Sequence, residues 1–449
     1  MKRPSLVRTS LVLLAAQVVF RGGDAALPLL LAMWFGRSSA TDVYFFSWAA
    51  FAFAGSLVFS VYQDSAIVPI LTDLRVRGDR DELAAKTRGS LLAHTLVLGG
   101  ALSAVIGMLA VGTFAMRYDG ADLALAAKMV PLFCLYLVAL SVRTFLVAVL
   151  NAEHRYLAHP MAGAASIAVT IGMIAALHRS AGMLVVPAAA LAGELVSIGI
   201  LGQLTIGNLG LKMPLTFERP EPVMRFVKLA ASETGGGALT RINPVFDQLM
   251  AGFAAVMGGG TLLRYSSDVS SVLTSLLQAS LLPVLLSVLS QEAASAGRDG
   301  EFRGTVNRSL AWSFGLLAAA SALVYAIRGP LLRAVFLRGE MDAGGVDRMI
   351  EILPYHLVGI APFGALLVLA RAHVALKNSR IMLSMGVLNA SLNILFDVAL
   401  VKPLGLRGLA LSTSLTHTAV AVVFWLRLES ALKTSAARAS VPTIREEAA

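Results

Sequence analysis

The chain has 449 residues, of which 57% are hydrophobic and only 14% are charged, and its formal net charge is +10. A soluble protein of this length could not bury so much apolar surface, so the composition excludes a soluble domain and indicates a polytopic membrane protein. The basic residues fall in short segments between apolar runs, which is typical of cytoplasmic loops and argues against a nucleic-acid partner. A single cysteine, Cys134, excludes an internal disulfide and a cysteine metal cluster.

Hydropathy predicts about twelve transmembrane helices, since each apolar run approaches or exceeds the roughly 20 residues that cross a bilayer. The first run follows MKRPSLVRTS and is interpreted as an uncleaved span, because it is too long for a signal peptide. The predicted spans cover residues 9–35, 42–71, 88–115, 122–150, 157–177, 181–205, 227–255, 261–290, 306–327, 346–375, 380–400 and 405–428.

The order of spans and loops repeats itself along the chain. LAAKTRGSLL (83–92) and FRGTVNRSLA (302–311) each follow a charged loop and open an apolar span. Six spans per half make the two halves parallel repeats. The prediction is an all-α polytopic fold with two six-helix lobes, 1–205 and 227–428, a cytoplasmic linker at 206–226 and a polar tail at 429–449. Lys and Arg are more frequent in the loops on the amino-terminal side, which places both termini in the cytoplasm.

Charged residues inside spans cluster in the first two spans of each half. Each costs about 3 kcal/mol at a helix centre, so such residues normally face protein or water. One interpretation of Arg21 and Asp24, three residues apart, is a local ion pair that tolerates burial. The other is a polar cavity between the lobes, at helices broken by glycine and proline. The predicted cavity residues are Arg21, Asp24, Asp64, Arg241 and Asp268.

Other charges within the spans have simpler interpretations. Arg143 can pair locally or extend its guanidinium to the membrane surface. Glu194 in the sixth span is a candidate for a proton-titrating group. The sequence contains no phosphate-binding loop, nucleophile elbow or zinc motif, so it does not predict an enzyme.

Two stretches carry a resemblance to a known family. FGRSSATDVYFF (35–46), followed by VPIL (68–71), and LNASLNILFDVALVKPLGLRGLALSTSL (388–415) are similar to the MviN/MurJ family of lipid II flippases. That family belongs to the multidrug/oligosaccharidyl-lipid/polysaccharide exporter superfamily. The likeness extends over about 8–427 in the order and spacing of its motifs. It implies two lobes that alternate between inward-open and outward-open states in the bacterial inner membrane, and export of an undecaprenyl-pyrophosphate-linked precursor of peptidoglycan.

The resemblance also implies arginines that bind the pyrophosphate in the central cavity. Arg21 matches one of them, whereas Leu27, Gly55 and Asp268 stand where the family has others. Arg241 and Arg264 are candidates to compensate for these differences.

A cation site is predicted in the second half. Asn393 and Asp397 are four residues apart and share one face of the eleventh span. Their contact could simply join two helices. The resemblance implies a sodium site made of Asp247, Asn393, Asp397, Thr413 and the carbonyl of Leu409. This set offers only oxygen ligands, which suit a hard cation, and a proton is the rival coupling ion.

Several functions are consistent with these observations. The first is a flippase for lipid II, with a lipid-linked glycan and membrane lipids as partners and a monomer as the expected state. Other substrates are another lipid-linked polysaccharide unit or small cations. A membrane enzyme would need a larger extramembrane domain than the loops of about 20 residues can form. The loss of cavity arginines leaves a transport-inactive scaffold as an alternative.

Overall fold

The computed structural model describes residues 22–23, 26–62, 67–77, 81–227, 242–254, 256–294, 299–376 and 378–439. All of the regular secondary structure in these residues is helical. This observation confirms the all-α class that the hydropathy pattern predicts.

The helices are numbered here in chain order. Those of the first half are α1 (Ala26–Phe35), α2 (Ser39–Tyr62), α3 (Val68–Arg77), α4 (Asp81–Arg117), α5 (Gly120–Ala152), α6 (Ala158–Ala181), α7 (Val185–Gly202) and the short α8 (221–227). Those of the second half are α9 (Asn243–Ala251), α10 (Gly259–Ala294), α11 (Asp299–Phe336), α12 (Ala343–Leu357), α13 (Ile360–Ala375), α14 (Ser379–Leu404) and α15 (Leu406–Ala439).

Within the described residues, six helical stretches are long and apolar enough to cross a membrane, or seven when α12 and α13 are taken as one bent span. One of the six, Ala158–Asn208, contains both α6 and α7. The chain turns between them at Gly182, whose φ is +57°, and the two helices pack side by side. The polytopic membrane fold is therefore confirmed, whereas the total of twelve spans remains a prediction.

Two helical regions differ from the spans that hydropathy predicts. The second span, predicted at 42–71, falls on α2 and α3, and residues 63–66 between these helices lie outside the described part of the chain. The tenth span is bent by 41° between α12 and α13. The last helix continues to Ala439, so the beginning of the polar tail is helical.

The chain forms two compact units. The first comprises Met1–Leu249, Met257–Thr261 and Val335–Ala343, and the second comprises Met250–Val256, Leu262–Ala334 and Gly344–Ala449. Three segments from the second half of the sequence thus belong to the first unit, namely the part up to Leu249, Met257–Thr261 and Val335–Ala343. The predicted limits of the lobes, 1–205 and 227–428, remain a prediction.

Each unit has its own apolar core. In the first unit, α3, α4, α5, α6 and α7 contribute a cluster that includes Ile67, Leu91, Phe145, Leu150 and Leu201. In the second unit, α10, α11, α13, α14 and α15 contribute a cluster that includes Leu289, Phe302, Val368, Val420 and Phe424. Large apolar side chains elsewhere are exposed, as expected for a protein whose outer surface faces lipid.

The predicted linker is ordered where it meets α4. Residues 210–220 have no regular secondary structure and lie along the first turns of that helix. The hydroxyl of Ser90 donates to the carbonyl of Glu218 over 2.5 Å, and Arg88 Nε donates to the carbonyl of Lys212 over 3.3 Å. Gly89 permits this approach, since a Cβ atom there would collide with the carbonyl of Pro214.

At the start of the predicted linker, α7 continues as a π-helix over Gln203–Asn208. π-helices are rare and occur frequently at functional sites. The side chain of Gln203 folds over Gly207, where a Cβ atom would lie 2.6 Å from its amide nitrogen. A side chain at 207 would therefore displace the amide of Gln203 from this position.

Candidate functional site

Most of the predicted cavity residues lie outside the described part of the chain. These are Arg21, Asp24, Asp64 and Arg241. Their assignment to the substrate cavity remains a prediction.

Arg264 and Asp268 lie one turn apart on α10 and form an ion pair. Arg264 Nε is 2.9 Å from one carboxylate oxygen of Asp268 and 3.1 Å from the other. Both side chains are part-exposed, at 35% and 24%. The negative charge of Asp268 is therefore offset on the same helix, which leaves the pair close to neutral.

A group of polar residues in the first unit lies at the carboxyl end of α9 and the amino end of α10. We call it the capping cluster, and its members are Arg37, Asp42, Arg117, Gln248, Thr261 and Asp342.

Asp42 caps the start of α10. Its Oδ1 accepts a hydrogen bond from the backbone N–H of Thr261 at 2.8 Å and lies 2.8 Å from the hydroxyl of the same residue. The first N–H groups of a helix have no partner inside the helix and carry a partial positive charge, so a carboxylate is well placed there. Asp42 lies in the first turn of α2, so the contact joins residues that are 219 positions apart.

Arg117 stabilises the carboxyl end of α9, the helix that precedes α10. One guanidinium nitrogen, Nη1, lies 3.0 Å from the carbonyl of Gln248 and 3.2 Å from that of Leu249, both in the last turns of α9. The partial negative charge at a helix carboxyl end favours a cation there. The guanidinium also lies 5.1 Å from the ring centre of Phe46 and 5.3 Å from that of Tyr118. Burial raises the pKa of Tyr118 to about 12, which keeps this phenol protonated.

Arg37 and Asp342 complete the capping cluster. The guanidinium and the carboxylate form two parallel hydrogen bonds, with Nε–Oδ1 and Nη2–Oδ2 distances of 2.8 and 3.0 Å. Next to this pair, Gly36 and Gly339 both have positive φ angles, +57° and +63°. A Cβ atom on Gly36 would lie 2.2 Å from the carbonyl oxygen of Glu340, so the two turns interlock through glycine.

Glu194 is paired rather than isolated. Its Oε2 lies 2.6 Å from Nε of Arg143, which joins α7 to α5 in the first unit. Both side chains are largely buried, at 9% and 18% exposure. The local pairing that was considered for Arg143 is therefore confirmed.

Four of the five predicted cation ligands lie on two adjacent helices of the second unit. The side chains of Asn393 and Asp397 on α14 are fully buried. The hydroxyl of Ser412 on α15 donates to the carbonyl of Asn393 over 3.1 Å. The other two predicted ligands, Leu409 and Thr413, lie one turn apart on α15. The hydroxyl of Thr413 donates to the carbonyl of Leu409 over 3.3 Å. The fifth, Asp247, lies on α9 in the first unit.

The donor set on α14 and α15 fits a hard cation. It offers the carboxylate of Asp397, the amide oxygen of Asn393, the hydroxyl of Thr413 and the carbonyl of Leu409, which are all oxygen ligands. A fully buried carboxylate is stabilised by a nearby positive charge. Among the described residues, no group of three or more His, Cys, Asp or Glu side chains is placed to hold a metal ion. The sodium prediction therefore depends on neutral oxygens as much as on carboxylates.

Comparison with known proteins identifies the family. Residues 31–446 match the sequence model of the family described as lipid II flippase MurJ. The chain belongs to the MurJ lipid II flippase family. The resemblance that the sequence motifs carry is thus confirmed over most of the chain.

Individual MurJ proteins are similar to this chain, and a transporter of another family shares its fold. The chain is 24% identical to the probable lipid II flippase MurJ of Vibrio cholerae, in an alignment that covers 92% of this chain and 80% of that protein. A solved structure of lipid II flippase MurJ in an inward closed conformation has a TM-score of 0.78 at 17% identity, with 93% of this chain and 87% of that chain covered. An inward-facing multidrug resistance MATE transporter of the MOP superfamily has a TM-score of 0.75 at 15% identity, with 95% and 96% covered. At these identities the structural likeness establishes the fold.

Sequence reasoning did not assign a role to the capping cluster. Arg37 and Asp42 lie in the stretch FGRSSATDVYFF, which carries the resemblance to the MurJ family, yet their partners are more than 200 residues away. An acidic residue in the first turn of a helix is a weak signal, because it normally interacts with its own helix.

Proposed function

We propose that this chain moves lipid II from the inner to the outer leaflet of the bacterial cytoplasmic membrane by alternating access. The observation that supports this proposal best is membership of the MurJ family over residues 31–446. The protein would carry its substrate without changing it chemically, and it would act as a monomer with both termini in the cytoplasm. The basic loops between the spans support that orientation.

The diphosphate of the substrate would be bound by arginine. A guanidinium can bind two phosphate oxygens through parallel hydrogen bonds and stays charged at any physiological pH. Arg21 is the residue that we assign to this role. Asp24, Asp64 and Arg241 would line the same cavity, with the pair Arg264–Asp268 on α10.

The capping cluster would close one side of the protein in one of the two transport states. Its contacts connect the first half of the sequence with the first turn of α10 and with the loop that precedes α12. In this proposal, the contacts of the capping cluster break and re-form during each transport cycle. The modest strength of part-exposed ion pairs and single helix caps suits them to this role.

A sodium ion would couple transport to the ion gradient. Asn393, Asp397, Leu409 and Thr413 would hold it, together with Asp247. A bound sodium ion supplies a positive charge that offsets the buried carboxylate of Asp397. A proton on that carboxylate is the alternative coupling ion.

The test of the proposed function is depletion of the protein in its native host. We expect lipid II to accumulate in the inner leaflet and cell-wall synthesis to stop, and we expect wild-type protein to restore both. Arg21→Lys keeps the charge but loses the paired hydrogen bonds, so it should restore transport poorly at normal protein levels. Accumulation of a different lipid-linked glycan would show that lipid II is not the substrate. Restoration of transport by a chain with Arg21→Ala would show that Arg21 does not bind the diphosphate.

A further inference from the structure

A large groove lies at the end of the first unit where the linker begins. Its volume is about 820 Å³, and it is formed by the α5–α6 turn, the first turns of α6, the end of α7 and the π-helix. Pockets that bury small ligands typically have volumes of about 300–1,000 Å³. The groove is unrelated to the predicted cavity residues, none of which lines it.

The π-helix keeps a single face of the chain directed at the groove. The lining residues there come in adjacent pairs, which are 199–200, 203–204 and 208–209. The first two pairs are four positions apart, as in an α-helix, and the last two are five apart, as a π-helix requires. If the α-helix continued instead, residues 207 and 208 would face the groove in place of 208 and 209.

The walls of the groove are apolar. Leu150, Leu157, Met161, Ile200 and Leu204 line it. Met161 is 63% exposed, although it belongs to a helix that is apolar enough to cross a membrane. Such a surface suits a hydrocarbon chain that enters from the surrounding lipid.

The rim of the groove is polar and positively charged. Among the lining residues that the structure describes, Arg155 alone carries a full charge. The neighbouring Glu153 is directed to Arg75, with a distance of 3.6 Å between Nε and Oε2, so it offsets that cation instead. An exposed arginine beside an apolar groove is complementary to an anionic head group with an attached chain.

The turn that presents Arg155 has an unusual backbone. His154 has a φ of +59°, which makes it the one residue other than glycine with a positive φ in the described chain. Its Nδ1 lies 2.7 Å from the hydroxyl of Tyr156, and both side chains line the groove. Unusual backbone conformations in residues other than glycine concentrate at binding sites. Tyrosine is also favoured at the boundary between lipid tails and water.

We propose that this groove binds one anionic glycerophospholipid. An acyl chain would lie along the apolar walls, the phosphodiester would pair with Arg155, and Tyr156 would lie at the level of the head group. A phosphodiester carries a single negative charge, which one arginine can balance. A polyprenyl diphosphate carries at least two negative charges, so the charge of the rim favours the phospholipid. This inference goes beyond the proposed transport function and does not depend on it.

Native mass spectrometry of the full chain tests the proposal. The protein is purified in detergent and mixed with equal amounts of phosphatidylglycerol and phosphatidylcholine that have the same acyl chains. We expect one phosphatidylglycerol to be retained in preference to phosphatidylcholine. Arg155→Gln should reduce this preference about fivefold, the effect expected for one basic side chain near an anionic head group, while acyl-chain binding persists. The control Arg179→Gln removes an exposed arginine at the other end of α6 and should change nothing.

A second pair of variants fills the groove without altering its charge. Gly199 lines the groove on α7, and a Cβ atom there meets no other atom within 4 Å. Gly199→Phe should therefore fold normally and lose the retained lipid of either kind. Gly172 on α6 has equally open surroundings outside the groove, so Gly172→Phe is the matched control and should retain the lipid.

Two results would overturn the proposal. One is retention of the phosphatidylglycerol preference in both Arg155→Gln and Gly199→Phe. The other is stronger retention of a polyprenyl diphosphate than of phosphatidylglycerol, with dependence on Gly199, which would assign the groove to a different lipid.

Discussion

Asp42 and Arg117 act on two successive helices with opposite charges. The carboxylate lies at the amino end of α10, and the guanidinium lies at the carboxyl end of α9. Each charge is attracted by the partial charge of the helix end that it contacts. Two residues that are distant in sequence therefore hold the carboxyl end of α9 and the amino end of α10.

Replacing Asp42 should loosen the start of α10 in a graded way. Asp42→Ala removes both hydrogen bonds to Thr261 and should cost about 1–2 kcal/mol, whereas Asp42→Asn keeps an acceptor oxygen and should cost less. Hydrogen exchange at the amides of residues 259–261 measures the change. Asp122→Asn is the control, because Asp122 lies in the first turn of α5. Equal exchange in Asp42→Ala and wild type would contradict this account.

The buried pair of Arg143 and Glu194 predicts a non-additive pattern of stability. Breaking a buried ion pair leaves one charge without its partner, at a cost of about 3–5 kcal/mol. Glu194→Gln and Arg143→Gln should each lower the melting temperature strongly. The double variant Arg143→Met with Glu194→Leu should recover most of the loss, since apolar residues can fill the same space.

The same double variant separates structure from proton coupling. If the pair has only a structural role, the stable double variant should transport at a normal rate. A stable variant that folds but does not transport would instead identify Glu194 as a functional titrating group. Additive losses in the double variant would show that the two residues do not depend on one another.

At the scale of helices and turns, glycine decides where two segments can meet. Gly36 and Gly120 have similar φ angles, +57° and +49°, but only Gly36 faces a carbonyl oxygen. Gly120→Ala should cost about 1 kcal/mol, the penalty for a left-handed backbone. Gly36→Ala should cost clearly more, because the added methyl group collides with Glu340. Thermal unfolding of the two variants in one detergent measures the difference, and equal losses would contradict the close packing of this turn.

The pair of helices α14 and α15 predicts a response to sodium. Sodium should raise the melting temperature of purified protein relative to potassium or choline at constant ionic strength, because a ligand that binds only the folded state stabilises it. Asp397→Ala should abolish this difference. Asp347→Asn is the control, since Asp347 pairs with Arg333 at an exposed site on α11 and α12. Identical curves in sodium and potassium would exclude the sodium site.

Hydropathy predicts where helices lie better than where they break. The tenth span, predicted as one run at 346–375, is bent by 41° between α12 and α13, because a hydropathy average responds to composition and not to backbone direction. The bend between α12 and α13 has a cause that is remote in sequence. A Cβ atom at Gly359 would lie 2.4 Å from the hydroxyl of Ser414, so α15 packs directly against the bend.

The candidate sites also differ in how far the sequence predicts them, because some depend on local spacing and others on contacts between distant residues. Asn393 and Asp397 could be predicted because both lie on one helix at a spacing that fixes their common face. The bonds from Arg37 to Asp342 and from Asp42 to Thr261 join residues 305 and 219 positions apart, and no local pattern encodes such pairs. Likewise, the sequence of α7 does not show whether Glu194 forms an ion pair with Arg143 or binds a proton.

For the whole molecule, membership of the MurJ family leads to a prediction about movement. If the capping cluster opens in every transport cycle, a covalent link across it should stop transport. Arg37→Cys with Asp342→Cys, in a chain that also carries Cys134→Ser, should lose transport when treated with a short bifunctional thiol reagent with a reducible disulfide in its spacer. Reduction of that linker should restore transport.

A second ion pair provides the control for this experiment. Arg333 and Asp347 are 3.0 Å apart and lie on consecutive helices of the second unit. The variant with Arg333→Cys and Asp347→Cys should be cross-linked equally well and should continue to transport. Full transport by the variant that is cross-linked between 37 and 342 would show that the cluster stays closed throughout the cycle.

The π-helix at the end of α7 affects how the chain tolerates changes in length. A π-helix accommodates one additional residue per turn without breaking the helix, so relatives with a plain α-helix here are expected to be one residue shorter. Removing one residue within Gln203–Asn208 should therefore convert the wide turn to an α-helical turn and leave the residues that follow on the same face. Removing one residue from the α-helical part of α7 would instead rotate everything that follows by about 100°, the turn of one residue in an α-helix. An alignment of shorter relatives should therefore place its gap within Gln203–Asn208.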